Sequence, residues 1–152
     1  MGMGVAADVQ SSGAALSTTA FTMDASIPTS PPHERVRVVV VDDDRDGAAT
    51  MAALLECEGY AVRTAHDGLH ALPTIQEWHP RCVLLDIDLP GLDGFDVARR
   101  LRRSQPDHGM LLIATSGWTR PEDRETAEVC GFDHFLPKPI DVEALLSLLP
   151  RA

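Results

Sequence analysis

The sequence predicts an α/β fold, with a doubly wound, five-stranded parallel sheet and helices on both faces. Two observations support this prediction. From Arg35 onward, five short apolar runs alternate with five segments whose apolar residues recur at helical spacing. Consecutive strand–helix units imply right-handed crossovers, and therefore a parallel sheet that is covered on both sides.

The first two units set the pattern. The valine-rich run at 36–41 is typical of a strand buried on both faces, and Gly59 stands where the following helix should end. One face of that helix carries four apolar residues, Ala48, Met51, Ala52 and Leu55. A second strand is predicted at 60–64. Asp67 is the predicted N-cap of the second helix, in which Pro73 should remove one backbone hydrogen bond and bend the helix.

Three further units complete the sheet. Their strands are predicted at residues 82–85, 110–114 and 132–136. Their helices are predicted from Asp93 to Arg103, from Pro121 to Gly131, and from the N-cap residue Asp141. The third helix contains a cluster of arginines, Arg99, Arg100, Arg102 and Arg103. Because these arginines are dispersed among many acidic residues, we predict a solvated helix face and not a nucleic-acid site.

Charge and composition narrow the classes of function. The chain has 152 residues, of which 44% are hydrophobic, and a net charge of -10. This length suits one domain with a hydrophobic core, and the negative charge argues against direct partnership with a nucleic acid or an anionic membrane. The three cysteines, Cys57, Cys82 and Cys130, have neither disulfide nor metal-ligand spacing, which predicts reduced thiols in a cytoplasmic protein.

Residues 1–34 are predicted to be a disordered leader. The segment is rich in Ala, Ser, Thr, Gly and Pro, contains no Lys or Arg, and shows no helical or strand period. Such a segment buries too little apolar area to offset the entropy of ordering it. The folded domain is therefore expected at 35–152. Because little sequence follows Leu149, no output domain is expected after it.

Polar residues collect where the predicted strands end. They are Asp42, Asp43 and Asp44 after the first strand, Asp86 after the third, Thr115 and Ser116 after the fourth, and Lys138, the only lysine in the chain, after the fifth. Taken alone, each aspartate is well explained as a cap of the next helix. Taken together, clustered carboxylates repel one another unless a cation joins them. Because ligands bind at the carboxyl ends of strands in open parallel sheets, the sequence predicts a site for Mg²⁺ beside a lysine.

Four segments carry a resemblance to a known family. They are VVVVDD at 38–43, VLLDIDLPGLDG at 83–94, ATSGW at 114–118 and KP at 138–139. In sequence, order and spacing they closely resemble the receiver domain of two-component response regulators. The resemblance extends from Arg35 to the end of the chain. It implies a flavodoxin-like fold with strand order 2-1-3-4-5.

The resemblance also implies a phosphoacceptor and a metal site. Asp86 matches the aspartate that takes a phosphoryl group from the histidine of a kinase or of a phosphotransfer protein. Asp42 and Asp43 match the acids that hold Mg²⁺ together with Asp86, and the main-chain carbonyl of Asp88 would complete the protein ligands. Such a domain catalyses only its own phosphorylation and dephosphorylation, and otherwise acts as a signalling module.

A switch is implied at the ends of the fourth and fifth strands. Ser116 matches the hydroxyl that turns toward the phosphoryl group, and the Gly and Trp that follow it favour Ser116 over Thr115 for this role. Phe135 matches the aromatic residue that moves with the hydroxyl. Lys138 matches the lysine that pairs with the phosphoryl group, and the bond between Lys138 and Pro139 is expected to be cis. Asp88 and Trp118 would flank the path of water to the phosphoryl group.

Two other functions fit part of this pattern. The segment from Asp86 to Asp88 fits the D-x-D opening of haloacid-dehalogenase-type phosphatases, but the acidic pair Asp42 and Asp43 precedes it, and the chain has no room for a cap domain. Turnover of an external phosphomonoester would favour that enzyme. A phosphorylation-independent docking module would form no Mg²⁺-dependent adduct. The expected partners of the receiver are a histidine kinase or phosphotransfer protein and a downstream protein target. The chain would be either a free-standing regulator or a receiver from a hybrid kinase. The stretch 131–134 resembles receivers of hybrid kinases, which favours a phosphorelay role.

Overall fold

The structure is a computed structural model that describes residues 35–104, 109–117 and 120–151. The predicted leader at 1–34 and Trp118 lie outside the described residues. Within those ranges, no helix is long and apolar enough to cross a membrane.

Five strands and five helices alternate along the described chain. The strands are β1 (Arg37–Val41), β2 (Ala61–Ala65), β3 (Cys82–Asp86), β4 (Leu111–Ser116) and β5 (His134–Pro137). The helices are α1 (Arg45–Cys57), α2 (Gly68–Trp78), α3 (Gly94–Ser104), α4 (Pro121–Cys130) and α5 (Val142–Leu148). The strands form one parallel sheet in the order β2-β1-β3-β4-β5. The predicted fold class and strand order are therefore confirmed.

Alternate residues of the strands belong to two separate hydrophobic cores. Val39 and Val41 of β1 belong to a core that includes residues of α2, α3 and α4. Val38 and Val40 belong to a second core that includes residues of α1 and α5. Since successive side chains of a strand point to opposite faces, both faces of β1 are covered by helices. The valine-rich composition of β1 follows from this double burial.

The caps predicted for α2 and α5 are present. The side chain of Asp67 accepts a hydrogen bond from the backbone N–H of His70, and that of Asp141 accepts from Glu143 and Ala144. Pro73 lies inside α2, and the helix continues to Trp78. Proline removes the donor that would bond four residues back, to the carbonyl of Leu69. Leu69 is 68% exposed, so the turn that loses this hydrogen bond lies on the solvent-facing side of α2.

The fifth strand begins later than its apolar run predicts. The expected start was residue 132, but β5 begins at His134. Gly131 has a φ of 107°, and the N–H of Phe132 donates to the carbonyl of Ala127 in the last turn of α4. This hydrogen bond terminates α4 and directs Phe132 into the core beside it. The apolar character of Phe132 therefore reports packing against helices and not strand pairing.

Arg102 corrects the prediction of a solvated arginine face. Its side chain is only 12% exposed and donates to the carbonyls of Met110 and Gly131 and to the carboxylate of Asp133. The same carboxylate accepts a hydrogen bond from the backbone N–H of Leu112. Arg102 thus joins the end of α3 to the starts of β4 and β5. Arg99, Arg100 and Arg103 are exposed, as predicted.

Candidate functional site

The sheet register places the predicted site residues along one edge. Val41 of β1 pairs with Leu85 of β3, so the next residues, Asp42 and Asp86, lie side by side at the ends of neighbouring strands. Asp86 pairs with Thr115, and Ser116 pairs with Pro137. The sequence therefore brings acidic, hydroxyl and ammonium groups to the carboxyl ends of four strands, because parallel strands end on the same edge.

Three carboxylates form the acidic part of the site. Asp42, Asp43 and Asp86 each offer an oxygen within 4.8 Å of the other two. Asp86 is 2% exposed at the end of β3, whereas Asp43 is exposed to solvent. The N–H of Asp44 donates to Asp42 Oδ1 over 2.9 Å, which fixes the orientation of that carboxylate. A compact set of carboxylate oxygens with an open side fits Mg²⁺, which prefers oxygen ligands and retains water.

Lys138 joins two of these carboxylates. Its Nζ donates to Asp42 Oδ2 over 2.9 Å and to Asp86 Oδ2 over 3.0 Å. Its backbone N–H donates to the carbonyl of Ser116 over 2.8 Å, which ties the end of β5 to the end of β4. The peptide bond between Lys138 and Pro139 is cis, the isomer that the resemblance implies. The only lysine of the chain thus lies at the centre of the candidate site.

Burial and hydrogen bonding shift the pKa values of the Asp86 and Lys138 side chains. Burial raises the pKa of Asp86 above its ordinary value, despite hydrogen bonds from the N–H of Asp88 and from Lys138. Burial alone would lower the pKa of Lys138, but its hydrogen bonds to Asp42 and Asp86 outweigh that effect, and the pKa is raised. Lys138 therefore remains an ammonium at neutral pH. An ionised Asp86 is held in a place that disfavours its charge.

The raised pKa of Asp86 predicts that its ionised form destabilises the fold. A group that binds its proton more tightly when folded favours folding below its unfolded pKa, and this contribution is lost as the pH rises through the folded pKa. Asp86→Asn removes the charge and should raise the free energy of unfolding at neutral pH. Urea unfolding in metal-free buffer at pH 7.5 measures this difference, which should shrink as the pH falls through the raised pKa of folded Asp86 and be absent below the pKa of the unfolded chain.

A matched control separates this effect from a general loss of negative charge. Glu128→Gln removes one charge from the exposed face of α4 and should change the free energy of unfolding by less than about 0.5 kcal/mol. If Asp86→Asn were less stable than the wild type at pH 7.5, the ionised carboxylate would be stabilising the fold, contrary to this expectation.

The two hydroxyls at the end of β4 have different surroundings. Ser116 is fully buried, and its Oγ donates to Asp88 Oδ2 over 2.8 Å. Thr115 lies on the other side of the sheet, where it helps to line a cavity of about 500 Å³ between α1 and the start of α5. Lys138 and Asp42 also line this cavity. The hydroxyl of Ser116 is therefore the one that contacts the loop after β3.

Phe135 lies on the edge strand β5 and packs, half-buried, against the core that contains α4. The guanidinium of Arg124 in α4 lies over its ring, 4.9 Å from the ring centroid. Sequence analysis did not identify Arg124, because nothing in the segment around it distinguishes one exposed helical arginine from another. The contact is visible only once α4 packs beside β5.

Comparison with known proteins identifies the family to which this fold and site belong. The family model described as the response regulator receiver domain matches residues 38–150. The chain belongs to this family, and the resemblance found in the sequence is confirmed. It is a signalling domain, and the phosphatase alternative is not favoured.

Particular relatives agree. Response regulator MprA from Mycobacterium bovis (strain BCG / Pasteur 1173P2) is 38% identical over 112 residues, which cover 74% of this chain and 48% of that protein. The counterpart from Mycobacterium avium (strain 104) is 37% identical over the same length, again 48% of the relative. The chain thus spans about half the length of the curated relatives that it matches.

Two solved structures share the fold. A response regulator receiver domain protein (CheY-like) from Methanospirillum hungatei JF-1 has a TM-score of 0.70 and 28% identity, covering 75% of this chain and 90% of that one. A response regulator from Burkholderia pseudomallei, solved with a phosphorylated aspartic acid, a calcium ion and citrate, has a TM-score of 0.69 and 31% identity. That alignment covers 75% of this chain and 66% of the other.

Proposed function

We propose that this domain accepts a phosphoryl group on Asp86 in a Mg²⁺-dependent reaction and then changes its surface for a downstream protein. The donor would be the phosphohistidine of a kinase or a phosphotransfer protein. One observation carries the proposal, namely that the buried carboxylate of Asp86 lies among two further carboxylates and 3.0 Å from the ammonium of Lys138. The Burkholderia pseudomallei relative, whose structure contains a phosphorylated aspartic acid and a calcium ion, supports it.

The reaction needs a nucleophile and positive charges that neutralise the phosphoryl group. A carboxylate oxygen of Asp86 forms the new P–O bond while the P–N bond of the phosphohistidine breaks, and the imidazole leaves with the electron pair and takes up a proton. The transition state is loose and spreads negative charge over the phosphoryl oxygens, so positioning and neutralisation matter more than a general base. Lys138 supplies one positive charge. Bound by Asp42, Asp43, Asp86 and the carbonyl of Asp88, Mg²⁺ would supply the rest.

The switch would use groups that lie at or near the site. The hydroxyl of Ser116 would turn toward a phosphoryl oxygen, and Phe135 would move with it. Because Phe135 packs against the core beside α4, its movement would change the surface formed by α4 and β5. A protein that binds one of the two surfaces more tightly would read the phosphorylation state.

Intact-mass spectrometry tests the proposal. Incubation of the wild type with acetyl phosphate and Mg²⁺ should add the mass of one phosphoryl group, and chelation of the metal should prevent the addition. Asp86→Asn should add nothing, because the amide is not a nucleophile for this transfer. Asp44→Asn changes an exposed acid that lies outside the carboxylate cluster and should still form the adduct.

Two outcomes would contradict the proposal. A wild type that forms no Mg²⁺-dependent adduct would instead support a phosphorylation-independent docking module. An adduct on Asp86→Asn would place the acceptor elsewhere.

A further inference from the structure

Asp88 contacts both the phosphoacceptor and the switch hydroxyl. Its backbone N–H donates to Asp86 Oδ1 over 2.8 Å. Its side-chain Oδ2 accepts the hydrogen bond of Ser116 Oγ, also over 2.8 Å. The two contacts form a continuous path from the carboxylate of Asp86 through Asp88 to the end of β4.

The hydroxyl of Ser116 cannot serve two acceptors at once. A serine hydroxyl has one proton to donate, so donation to Asp88 and donation to a phosphoryl oxygen on Asp86 exclude each other. Ser116 is fully buried, whereas Asp88 is exposed, so this hydrogen bond lies where the buried end of β4 meets the solvent-facing loop after β3. The bond to Asp88 is charge-assisted, which makes the carboxylate a stronger competitor than a neutral acceptor would be.

We infer that Asp88 is a positioning residue, whose carboxylate holds the Ser116 hydroxyl away from Asp86 until a phosphoryl group competes for it. The inference rests on the proposed function. Binding of a phosphoryl group, or of a mimic, must break the bond between Ser116 and Asp88. The free-energy cost of breaking this hydrogen bond reduces the net free energy of binding, and the apparent affinity for the mimic is lowered accordingly.

Removing the carboxylate charge should make the switch easier to operate. Asp88→Asn keeps the main-chain carbonyl and the N–H that faces Asp86, and it replaces a charged acceptor by a neutral one. We expect beryllofluoride, measured by calorimetry at saturating Mg²⁺, to bind about fivefold more tightly to Asp88→Asn than to the wild type.

A double-mutant cycle distinguishes the hydrogen bond from the loss of a nearby negative charge. The four proteins are the wild type, Asp88→Asn, Ser116→Ala and the double variant. A charge effect acts in both backgrounds. An effect that works through the hydroxyl requires Ser116, so the gain from Asp88→Asn should fall from about fivefold to less than about twofold in the Ser116→Ala background. Thermal unfolding of each protein, recorded alongside, verifies that all four are folded.

The outcomes separate this inference from the proposed function. Equal gains from Asp88→Asn in both backgrounds, or no gain in either, would overturn the role assigned to Asp88 while leaving the phosphoacceptor role of Asp86 intact. A wild type that binds no beryllofluoride at saturating Mg²⁺ would overturn the proposed function and this inference with it. Unequal gains, larger with Ser116 present, would establish Asp88 as the residue that positions the hydroxyl.

Discussion

Replacing Lys138 by methionine is expected to weaken the binding of beryllofluoride in the presence of Mg²⁺ by at least about tenfold. The carboxylates of Asp42, Asp43 and Asp86 crowd the site, and a phosphoryl group or its mimic adds further negative charge. The ammonium of Lys138 lies 2.9 Å from Asp42 Oδ2 and 3.0 Å from Asp86 Oδ2. Methionine keeps a long unbranched side chain but contributes no charge, so a charge-assisted hydrogen bond to the mimic is lost.

Lys138→Arg is the matched control for charge against shape. It retains the positive charge but spreads it over a planar group whose donors are fixed in a fork, whereas the lysine ammonium is compact and donates to two different carboxylates. We expect the arginine variant to fold and to form the phosphoryl adduct on Asp86. We also expect it to bind the mimic more weakly than the wild type and more strongly than Lys138→Met.

Calorimetric titration of the three proteins gives the order of affinities. Equal binding by the wild type and Lys138→Met would show that the ammonium does not face the phosphoryl position. Full recovery in Lys138→Arg would show that charge matters at this position and that compactness does not.

The fold and the acidic edge could be predicted from sequence because both depend on local pattern. The valines of β1 indicate a strand buried on both faces. Asp42 and Lys138 directly follow a strand, and Asp86 is the last residue of one. In a parallel sheet, the position just after a strand is enough to bring such residues together. The order β2-β1-β3-β4-β5 makes β1 and β3 neighbours and leaves only β4 between β3 and β5.

Contacts between distant loops could not be predicted in the same way. The bond from Ser116 to Asp88 spans 28 residues and depends on the rotamer of a buried hydroxyl. The contact of Arg124 with Phe135 depends on how α4 rotates about its own axis as it packs beside β5. Neither the rotamer of the hydroxyl nor the rotation of the helix produces a periodic pattern in the sequence. The family resemblance nonetheless identified Asp88, Ser116 and Phe135, whereas Arg124 was missed, so the residues of the candidate site were found and its internal bonding was not.

The arginines of α3 show the same limit of prediction from sequence. Four arginines stand within five positions, and helical periodicity does not say which of them meets a partner. The partners of Arg102 lie elsewhere, at Met110, Gly131 and Asp133, just before β4 and β5 begin. A Cβ on Gly131 would lie 2.6 Å from Cγ of Arg102, so only glycine leaves room for this side chain.

Arg102→Met should therefore lower the free energy of unfolding by about 3 kcal/mol. The variant keeps most of the apolar stem, but two main-chain carbonyls and one carboxylate lose the hydrogen bonds that Arg102 donates. Asp133, 42% exposed, can regain part of its hydration, which keeps the loss below that for a fully buried ion pair. Arg103→Met is the control, because Arg103 is exposed on the same helix and should change stability by less than about 0.5 kcal/mol.

Urea unfolding of the wild type and the two variants measures these differences, and the phosphoryl adduct on Asp86 tells whether the damage reaches the site. Arg102 lies at the starts of β4 and β5, whereas Ser116 and Lys138 lie at their far ends. Because the lost hydrogen bonds lie at the opposite ends of these strands from the site, we expect Arg102→Met to form the adduct as the wild type does under conditions where it remains folded. Equal stability of Arg102→Met and Arg103→Met would mean that the three hydrogen bonds contribute nothing net. Loss of the adduct in a folded Arg102→Met would instead show that the starts of β4 and β5 control the geometry of the phosphoacceptor edge.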